Sequence, residues 1–134
     1  MDLTEKKTPV PFTPSILVAE DDAETRRMIC RTLEEVGFRV VEAATGNEAW
    51  ERVVERHFDL IILDVSLPER DGLELIQSVR AEAGNVKVLA VSGFMGGSFL
   101  RTIEKLGADA TLKKPITEDD LLMEVCCVLA THLL

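Results

Sequence analysis

Acidic, hydroxyl and amine side chains follow, or end, four of the five short apolar runs in this 134-residue sequence. They are Glu20 and Asp21 after the first run, Asp64 after the third, Ser92 after the fourth, and Lys113 and Lys114 after the fifth. Three carboxylates gathered in one place would repel one another, and protonation or a bound cation would relieve that repulsion. Oxygen ligands with no His or Cys beside them select a hard cation, and Mg²⁺ that keeps several of its waters suits them best.

A magnesium ion beside a carboxylate permits phosphoryl chemistry. The carboxylate can act as a nucleophile toward phosphorus while the ion neutralises the transferring group. A lysine ammonium from the fifth run would pair with phosphoryl oxygens, and the Ser92 hydroxyl would donate a hydrogen bond to one of them. Residue types and spacing alone therefore predict a Mg²⁺-dependent phosphoacceptor.

The apolar runs predict the strands that must position these side chains. They are Ile16–Ala19, Phe38–Val41, Leu60–Leu63, Val88–Val91 and the weaker Ala110–Leu112. Runs that are apolar almost throughout are typical of parallel strands covered on both faces. Stretches with helical spacing alternate with them, which predicts an α/β fold of the (βα)5 type, a doubly wound five-stranded sheet in the flavodoxin-like order 2-1-3-4-5. Ligands of such sheets bind outside the carboxyl ends of the strands, where the polar side chains fall.

Glycines and capping residues indicate where the helices begin and end. A left-handed closing residue is favoured after a helix. The glycines in such positions are Gly37, Gly84 and Gly107. Thr45 and Thr117 each precede an acidic residue by three positions, which is the capping pattern of a helix start. Asp22 is either a third metal ligand or the cap of the first helix, and capping is the favoured interpretation.

Charge and composition narrow the classes of function. The 15 basic and 24 acidic residues give a net charge of −9. This balance argues against direct nucleic-acid binding, which needs a basic surface. No apolar run reaches the roughly 18 residues of a membrane span, and the first ten residues lack the apolar stretch of a signal peptide. We expect an extended, proline-containing tail at residues 1–14 and one domain at residues 15–134.

The three cysteines, Cys30, Cys126 and Cys127, are odd in number and lack metal-ligand spacing. Reduced thiols in a cytoplasmic protein are the plainer interpretation. Cys126 and Cys127 fall near the apolar stripe of the last helical stretch, so we expect them to be buried. Trp50, in the second helical stretch, is expected to pack against the core, and His57 and His132 are expected to have no role.

Four motifs now show a resemblance to a known family. They are ILVAEDD, DLIILDVSLPERDG, VLAVSG and GADATLKKP, in this order. Over Ser15 to Leu134 the chain resembles the response-regulator receiver domains of two-component signalling, of the chemotaxis-regulator type. Each motif alone is weak, but four in order at family-like separations form a specific pattern.

The resemblance implies a role for each residue of the site. It implies that Asp64 accepts the phosphoryl group and that Mg²⁺ is held by Glu20, Asp21, Asp64 and the backbone carbonyl of Ser66. It also implies that Ser92, Gly93 and Lys114 bind the phosphoryl group and take part in the switch. The Lys114–Pro115 peptide bond is expected to be cis.

The implied partners are a sensor histidine kinase or a histidine phosphotransfer protein as donor, and another protein as downstream target. Neither nucleic acid nor a membrane is an expected partner. The domain would catalyse its own phosphorylation and dephosphorylation without being a turnover enzyme. One departure concerns output, because the usual switch-aromatic position is occupied by Thr111. We therefore expect the loop from Gly93 to Ser98 and the start of the fourth helix to carry the switch.

Two other functions fit the same residues less well. An aspartyl-nucleophile phosphatase commonly has a second Asp two positions after the nucleophile, but Ser66 stands there. A pseudo-receiver that serves only for docking would not need the full set of chemical residues that this chain retains.

Overall fold

The computed structural model describes residues 13–93 and 97–133, and in these ranges strands and helices alternate strictly. The strands are β1 (Ser15–Ala19), β2 (Arg39–Ala43), β3 (Leu60–Asp64), β4 (Lys87–Ser92) and β5 (Ala110–Lys113). The helices are α1 (Ala23–Glu35), α2 (Gly46–Glu55), α3 (Gly72–Glu82), α4 (Gly97–Leu106) and α5 (Glu118–Leu133). The strands pair in parallel in the order β2-β1-β3-β4-β5, which confirms the predicted topology.

Both faces of the sheet are covered, which is why its central strands are apolar except at their ends. Side chains alternate along β1, so that Leu17 contributes to one core and Ile16 to the other. The first core also takes residues from α2, α3 and α4, and the second takes residues from α1 and α5. All five residues of β3 are buried, so this strand is the centre of the molecule.

Side chains cap four of the helix starts. The side chains of Asp22, Thr45 and Asp71 accept hydrogen bonds from backbone N–H groups in the first turns of α1, α2 and α3. The Thr117 hydroxyl accepts from the N–H of Asp120 at 3.1 Å at the start of α5. These contacts satisfy N–H groups that have no partner within the helix. The predicted caps at Thr45 and Thr117, and the capping interpretation of Asp22, are confirmed.

All three predicted glycines follow the end of a helix, but the predicted left-handed conformation is found at only two of them. Gly37 and Gly107 have φ values of 101° and 121°, in the left-handed region. Gly84 does not have a positive φ, so that prediction was wrong. The carbonyl groups of Gly84 and Val86 instead accept hydrogen bonds from the guanidinium of Arg80, which lies on α3 itself. Arg80 thus fixes the segment that follows the helix, at carbonyl groups beyond its last turn.

The predicted bounds of β2 were wrong. The strand begins one residue later and extends to Ala43, which pairs with Ala19 of β1. Phe38 packs against the core before the strand starts. Glu42 is exposed within the strand, and this polar residue is what ended the apolar run in the sequence.

The predicted burial of Cys126 and Cys127 was also wrong, because both are exposed. The buried stripe of α5 consists of Leu121, Val125, Val128 and Leu129. Positions 126 and 127 fall to the side of that stripe. Trp50 is partly buried against the first core, as expected.

Several expectations fall outside the described ranges. The predicted tail overlaps them only at Thr13 and Pro14, and residues 94–96 of the predicted switch loop lie outside. The side chains of Ser98 and His132 likewise lie outside the description. Within residues 13–93 and 97–133, no helix has the length and apolar character needed to cross a membrane.

Candidate functional site

The polar residues singled out from the sequence meet at the carboxyl edge of the sheet. Backbone hydrogen bonds continue just past the strands and anchor the connecting segments. The N–H of Glu20 donates to Ala43 at 3.0 Å, and the N–H of Lys114 donates to Ser92 at 2.9 Å. The segments after β1 and β5 therefore leave the sheet in fixed directions, and they bring their side chains toward Asp64 at the end of β3.

Glu20, Asp21 and Asp64 form a cluster of carboxylates. Each residue has a carboxylate oxygen that lies within 4.8 Å of a carboxylate oxygen of each of the other two. Glu20 and Asp64 are buried, whereas Asp21 is exposed. An all-oxygen donor set with one side open to water fits a hard divalent cation that retains part of its hydration shell.

One ammonium group contacts both buried carboxylates. The Nζ of Lys114 lies 2.7 Å from Oδ2 of Asp64 and 3.0 Å from Oε1 of Glu20. Burial alone would lower the pKa of Lys114, but the hydrogen bonds and charges of Asp64 and Glu20 outweigh it and raise the pKa. The lysine therefore stays charged. Lys113 beside it is exposed at the end of β5.

Burial removes the Glu20 carboxylate from water, and this desolvation is unfavourable for the charged form. Burial raises the pKa of its carboxyl, and the N–H of Asp22 and the Lys114 ammonium counteract part of this effect. The N–H of Asp22 donates to Oε2 of Glu20 at 3.0 Å. Because burial disfavours the charged form, an additional cation beside Glu20 would be bound favourably.

Backbone N–H groups orient the carboxylates, and one arginine holds the backbone beside them. The N–H of Ser66 donates to Oδ1 of Asp64 at 2.8 Å, which leaves Oδ2 facing Lys114. Arg26 of α1 donates from its guanidinium to the Glu20 carbonyl at 2.8 Å and to Glu42 at 2.9 Å. Arg26 was not predicted from the sequence, because nothing in the residue pattern distinguishes it from Arg27 beside it.

Asp22 serves the helix and not the carboxylate cluster. Its Oδ2 accepts from the N–H of Thr25 at 2.8 Å and from the Thr25 hydroxyl at 2.7 Å. These hydrogen bonds lower the pKa of the Asp22 carboxyl. The residue is therefore a charged N-cap.

The remaining predicted site residues lie around this centre. Ser92 is buried at the end of β4, and Gly93 after it is exposed. Thr111 on β5 is partly buried and pairs with Ala90 of β4. Ser66 lies in the exposed turn two residues after Asp64, and the metal-binding role of its carbonyl remains a prediction. The Lys114–Pro115 bond is cis, as expected.

A comparison with protein families gives a decisive match. The model of the response regulator receiver domain matches residues 16–125 of the chain. The chain belongs to this family. As a receiver domain it is a module of two-component signalling, and its parallel sheet is the fold found in CheY-like proteins.

Two relatives show the settings in which similar sequences occur. The receiver domain is 32% identical over 110 residues to the response regulator receiver protein CpdR of Brucella abortus, over 82% of this chain and 92% of that protein. It is 31% identical over 129 residues to the sensor protein EvgS of Escherichia coli, over 96% of this chain but only 10% of that protein. Similar sequences thus form both nearly whole proteins and small parts of larger ones.

The fold has close counterparts among solved structures. A CheY-like receiver domain protein from Methanospirillum hungatei superposes with a TM-score of 0.86 at 27% sequence identity. The match covers 90% of this chain and 97% of that one. The likeness extends over nearly the whole of both domains.

Proposed function

We propose that this receiver domain takes a phosphoryl group from a phosphohistidine onto Asp64 in the presence of Mg²⁺. The observation that carries the proposal is the contact of one ammonium, Lys114, with both Asp64 and Glu20, beside the exposed carboxylate of Asp21. The donor would be a sensor histidine kinase or a histidine phosphotransfer protein. The similarity to a sensor protein supports a partner of that class.

Each residue of the site has a separate role in the phosphoryl transfer. A carboxylate oxygen of Asp64 attacks phosphorus, and the bond from phosphorus to the donor's imidazole nitrogen breaks. Mg²⁺ held by Glu20, Asp21 and Asp64, together with the Ser66 carbonyl, would neutralise charge on the phosphoryl oxygens. Hydrogen bonds from Ser66 N–H and Lys114 already hold the Asp64 carboxylate before any donor arrives.

The product carries more negative charge than the resting site, and Lys114 and Ser92 respond to it. The Lys114 ammonium pairs with a phosphoryl oxygen, because an opposite charge so close is strongly favoured in a partly buried site. The Ser92 hydroxyl, buried at the end of β4, donates to another phosphoryl oxygen, with Gly93 beside it. Movement of these groups changes the surface that a downstream protein binds.

A phosphatase reaction is a weaker candidate. It needs a general acid near the nucleophile, and Ser66 has no such group at the position where one would be expected. The domain would therefore catalyse only the formation and loss of its own acyl phosphate. The family is a signalling family, which agrees with this restriction.

Intact-protein mass spectrometry after incubation with acetyl phosphate and MgCl₂ tests the proposal. We expect one phosphoryl group on the parent protein, and none on Asp64→Asn or in the presence of a chelator. Asp119→Asn is the matched control, because Asp119 is exposed in the first turn of α5 and belongs neither to the carboxylate cluster nor to the loop after Asp64.

Each other outcome points elsewhere. An adduct that persists at full yield in Asp64→Asn would refute the assignment of the acceptor. Equal phosphorylation in chelator would refute the metal site. Continuous release of phosphate would favour the phosphatase, and no adduct on the parent protein would favour a docking module.

A further inference from the structure

The segment between β3 and α3, residues 65–71, is here called the acceptor loop. It directly follows Asp64 and contains Ser66. Its first residue is fixed to the sheet, because the N–H of Val65 donates to the Val91 carbonyl of β4 at 3.0 Å. The N–H of Gly72 donates to the Val65 carbonyl at 3.1 Å, which brings the two ends of the loop together. A side chain at Gly72 would collide with the backbone of Val65 and Asp64, so α3 starts pressed against the end of β3.

The middle of the acceptor loop rests on the first turn of α2. The N–H of Gly46 donates to the Pro68 carbonyl at 3.0 Å. A side chain at Gly46 would collide with the backbone carbonyl of Arg70, so the two segments are in direct contact. Between these points Glu69 has a φ of 72°, an unusual value for a residue with a side chain. The tight turn of the loop is thus held against α2.

A side-chain contact reinforces this backbone contact. The guanidinium carbon of Arg70 lies 5.2 Å from the centre of the Trp50 ring, within the range of a cation–π interaction. Arg70 also donates to the Ser78 hydroxyl at 3.3 Å. Trp50 lies one helical turn after Gly46 and packs against the first core, so the ring is a fixed support for the arginine.

We propose that the contact between Arg70 and Trp50 sets the Mg²⁺ affinity of the site by holding the acceptor loop in place. The inference rests on the proposed function, which assigns the Ser66 carbonyl to the metal. Ser66 lies between the anchor at Val65 and the anchor at Pro68 and Arg70. Losing the Arg70–Trp50 contact weakens the second anchor, so that metal binding must itself order more of the loop, and this ordering lowers the affinity.

The same geometry predicts what should not change. Asp64 belongs to β3, pairs with Val91 of β4 and contacts Lys114, and these contacts do not involve the acceptor loop or Trp50. Trp50 and Arg70 are therefore positioning residues. Their loss should raise the Mg²⁺ concentration needed for half-saturation without lowering the rate of phosphorylation at saturating Mg²⁺.

The test compares Trp50→Leu, which keeps apolar packing without an aromatic face, with Trp50→Phe, which keeps a ring. MgCl₂ is titrated at constant ionic strength while the amide resonances of Ser66 and Gly72 are followed by NMR. We expect half-saturation of Trp50→Leu to need roughly two- to fivefold more Mg²⁺, the size of effect that a partly exposed cation–π contact can have. Trp50→Phe should titrate close to the parent protein.

Two further variants sharpen the result. Arg70→Met should weaken Mg²⁺ binding as much as Trp50→Leu, and combining both should add little, because either one removes the same contact. Val54→Ala on the exposed side of the same helix is the control and should titrate as the parent does. Phosphorylation by acetyl phosphate at saturating Mg²⁺ should proceed at the parental rate in every variant.

Failure of this inference is distinct from failure of the proposed function. If the parent protein binds Mg²⁺ and Asp21→Ala does not, but Trp50→Leu titrates like the parent, the positioning role is refuted alone. It is refuted equally if Trp50→Phe is as weak as Trp50→Leu, or if the rate at saturating Mg²⁺ falls. A parent protein without Asp21-dependent Mg²⁺ binding would refute both.

Discussion

Lys114 decides the charge balance of the resting site. Its single ammonium lies between two buried carboxylates, Glu20 and Asp64, and it is the only cation that contacts both of them among the residues described. A phosphoryl group on Asp64 would bring new negative charge to the same place. The resting contacts and the phosphorylated contacts of Lys114 therefore compete, which makes this residue the natural link between chemistry and conformational change.

The reactivity of the three cysteine thiols tests whether Cys30 is buried and Cys126 and Cys127 are exposed. Cys30 is buried on α1, and burial raises the pKa of its thiol to about 12. Cys126 and Cys127 are exposed on α5. Because the thiolate is the reactive form, we expect iodoacetamide at pH 8 to alkylate Cys126 and Cys127 first.

Peptide mass spectrometry identifies the alkylated residues and their order. Cys30 should react only after the protein is unfolded in denaturant. A Cys30→Ala variant, as control, should show the same labelling of Cys126 and Cys127 in the native state. Alkylation of native Cys30 as fast as that of Cys126 would contradict the burial of the thiol.

Residue identity made some of the site predictable and left other parts hidden. Asp64, Glu20 and Lys114 were found because polar side chains at the ends of apolar runs are conspicuous. Arg26 and the Arg70–Trp50 pair were missed, because their contacts join residues distant in sequence. No local pattern carries that information, since it arises only when helices pack on the sheet.

At the scale of elements, β4 and β5 raise the question of output. Thr111 on β5 is partly buried beside Ala90, and it is small, β-branched and restricted in its rotamers. It lacks the volume with which an aromatic side chain would follow a displaced Ser92. Among the described residues other than its chain neighbours, none has an atom within 4 Å of a Cβ added at Gly93, after β4. The adjacent segment also contains Gly96 and Gly97, and glycines lower the cost of rearrangement.

We therefore expect activation to change the loop at residues 93–98 more than β5. Hydrogen–deuterium exchange of the protein with and without beryllofluoride, in Mg²⁺, measures both segments. The largest change should fall on residues 93–98 and the start of α4, with little change around Thr111. Asp64→Asn with the same additions is the control. A dominant change on β5 with an unaltered loop would contradict this account of the switch.

The elements themselves were largely predictable, because continuous apolar runs and helical spacing are strong local signals. Errors arose where tertiary contacts override those signals. Glu42 interrupts the apolar run of β2, but pairing with β1 extends the strand through it. Gly84 lacks the predicted left-handed conformation, and the segment after α3 is held by the Arg80 guanidinium, which donates to the carbonyl groups of Gly84 and Val86.

For the whole molecule, the edge of the sheet at the amino ends of the strands and the edge at their carboxyl ends are stabilised in different ways. At the amino edge, Arg80 donates to the Gly107 carbonyl at 2.9 Å and pairs with Asp109 at 2.5 Å, which fastens α3 to the connection between α4 and β5. Asp109 in turn accepts from the N–H of Val88 at 2.8 Å. Opposite charges are matched there, whereas the carboxyl edge carries an excess of carboxylates. The carboxyl edge is therefore where a bound cation should add most to stability.

This asymmetry predicts how Mg²⁺ and Lys114 contribute to the stability of the whole domain. Mg²⁺ that binds only the folded state stabilises it by RT ln(1 + [Mg²⁺]/Kd), which is about 1.4 kcal/mol at ten times Kd. Lys114→Met leaves Glu20 and Asp64 without their ammonium and should lower the free energy of unfolding by about 2 kcal/mol without metal. Because the unpaired carboxylates attract a cation more strongly, Mg²⁺ should stabilise Lys114→Met more than it stabilises the parent protein.

Urea unfolding followed by circular dichroism, with MgCl₂ or with NaCl at equal ionic strength, measures these differences. Lys113→Met is the matched control, because it removes the same charge from the neighbouring exposed position. It should lose little stability and should gain from Mg²⁺ only as much as the parent does. If Lys114→Met gains no more from Mg²⁺ than Lys113→Met, the ammonium and the metal do not balance the same carboxylates, and the charge balance assigned to Lys114 is wrong.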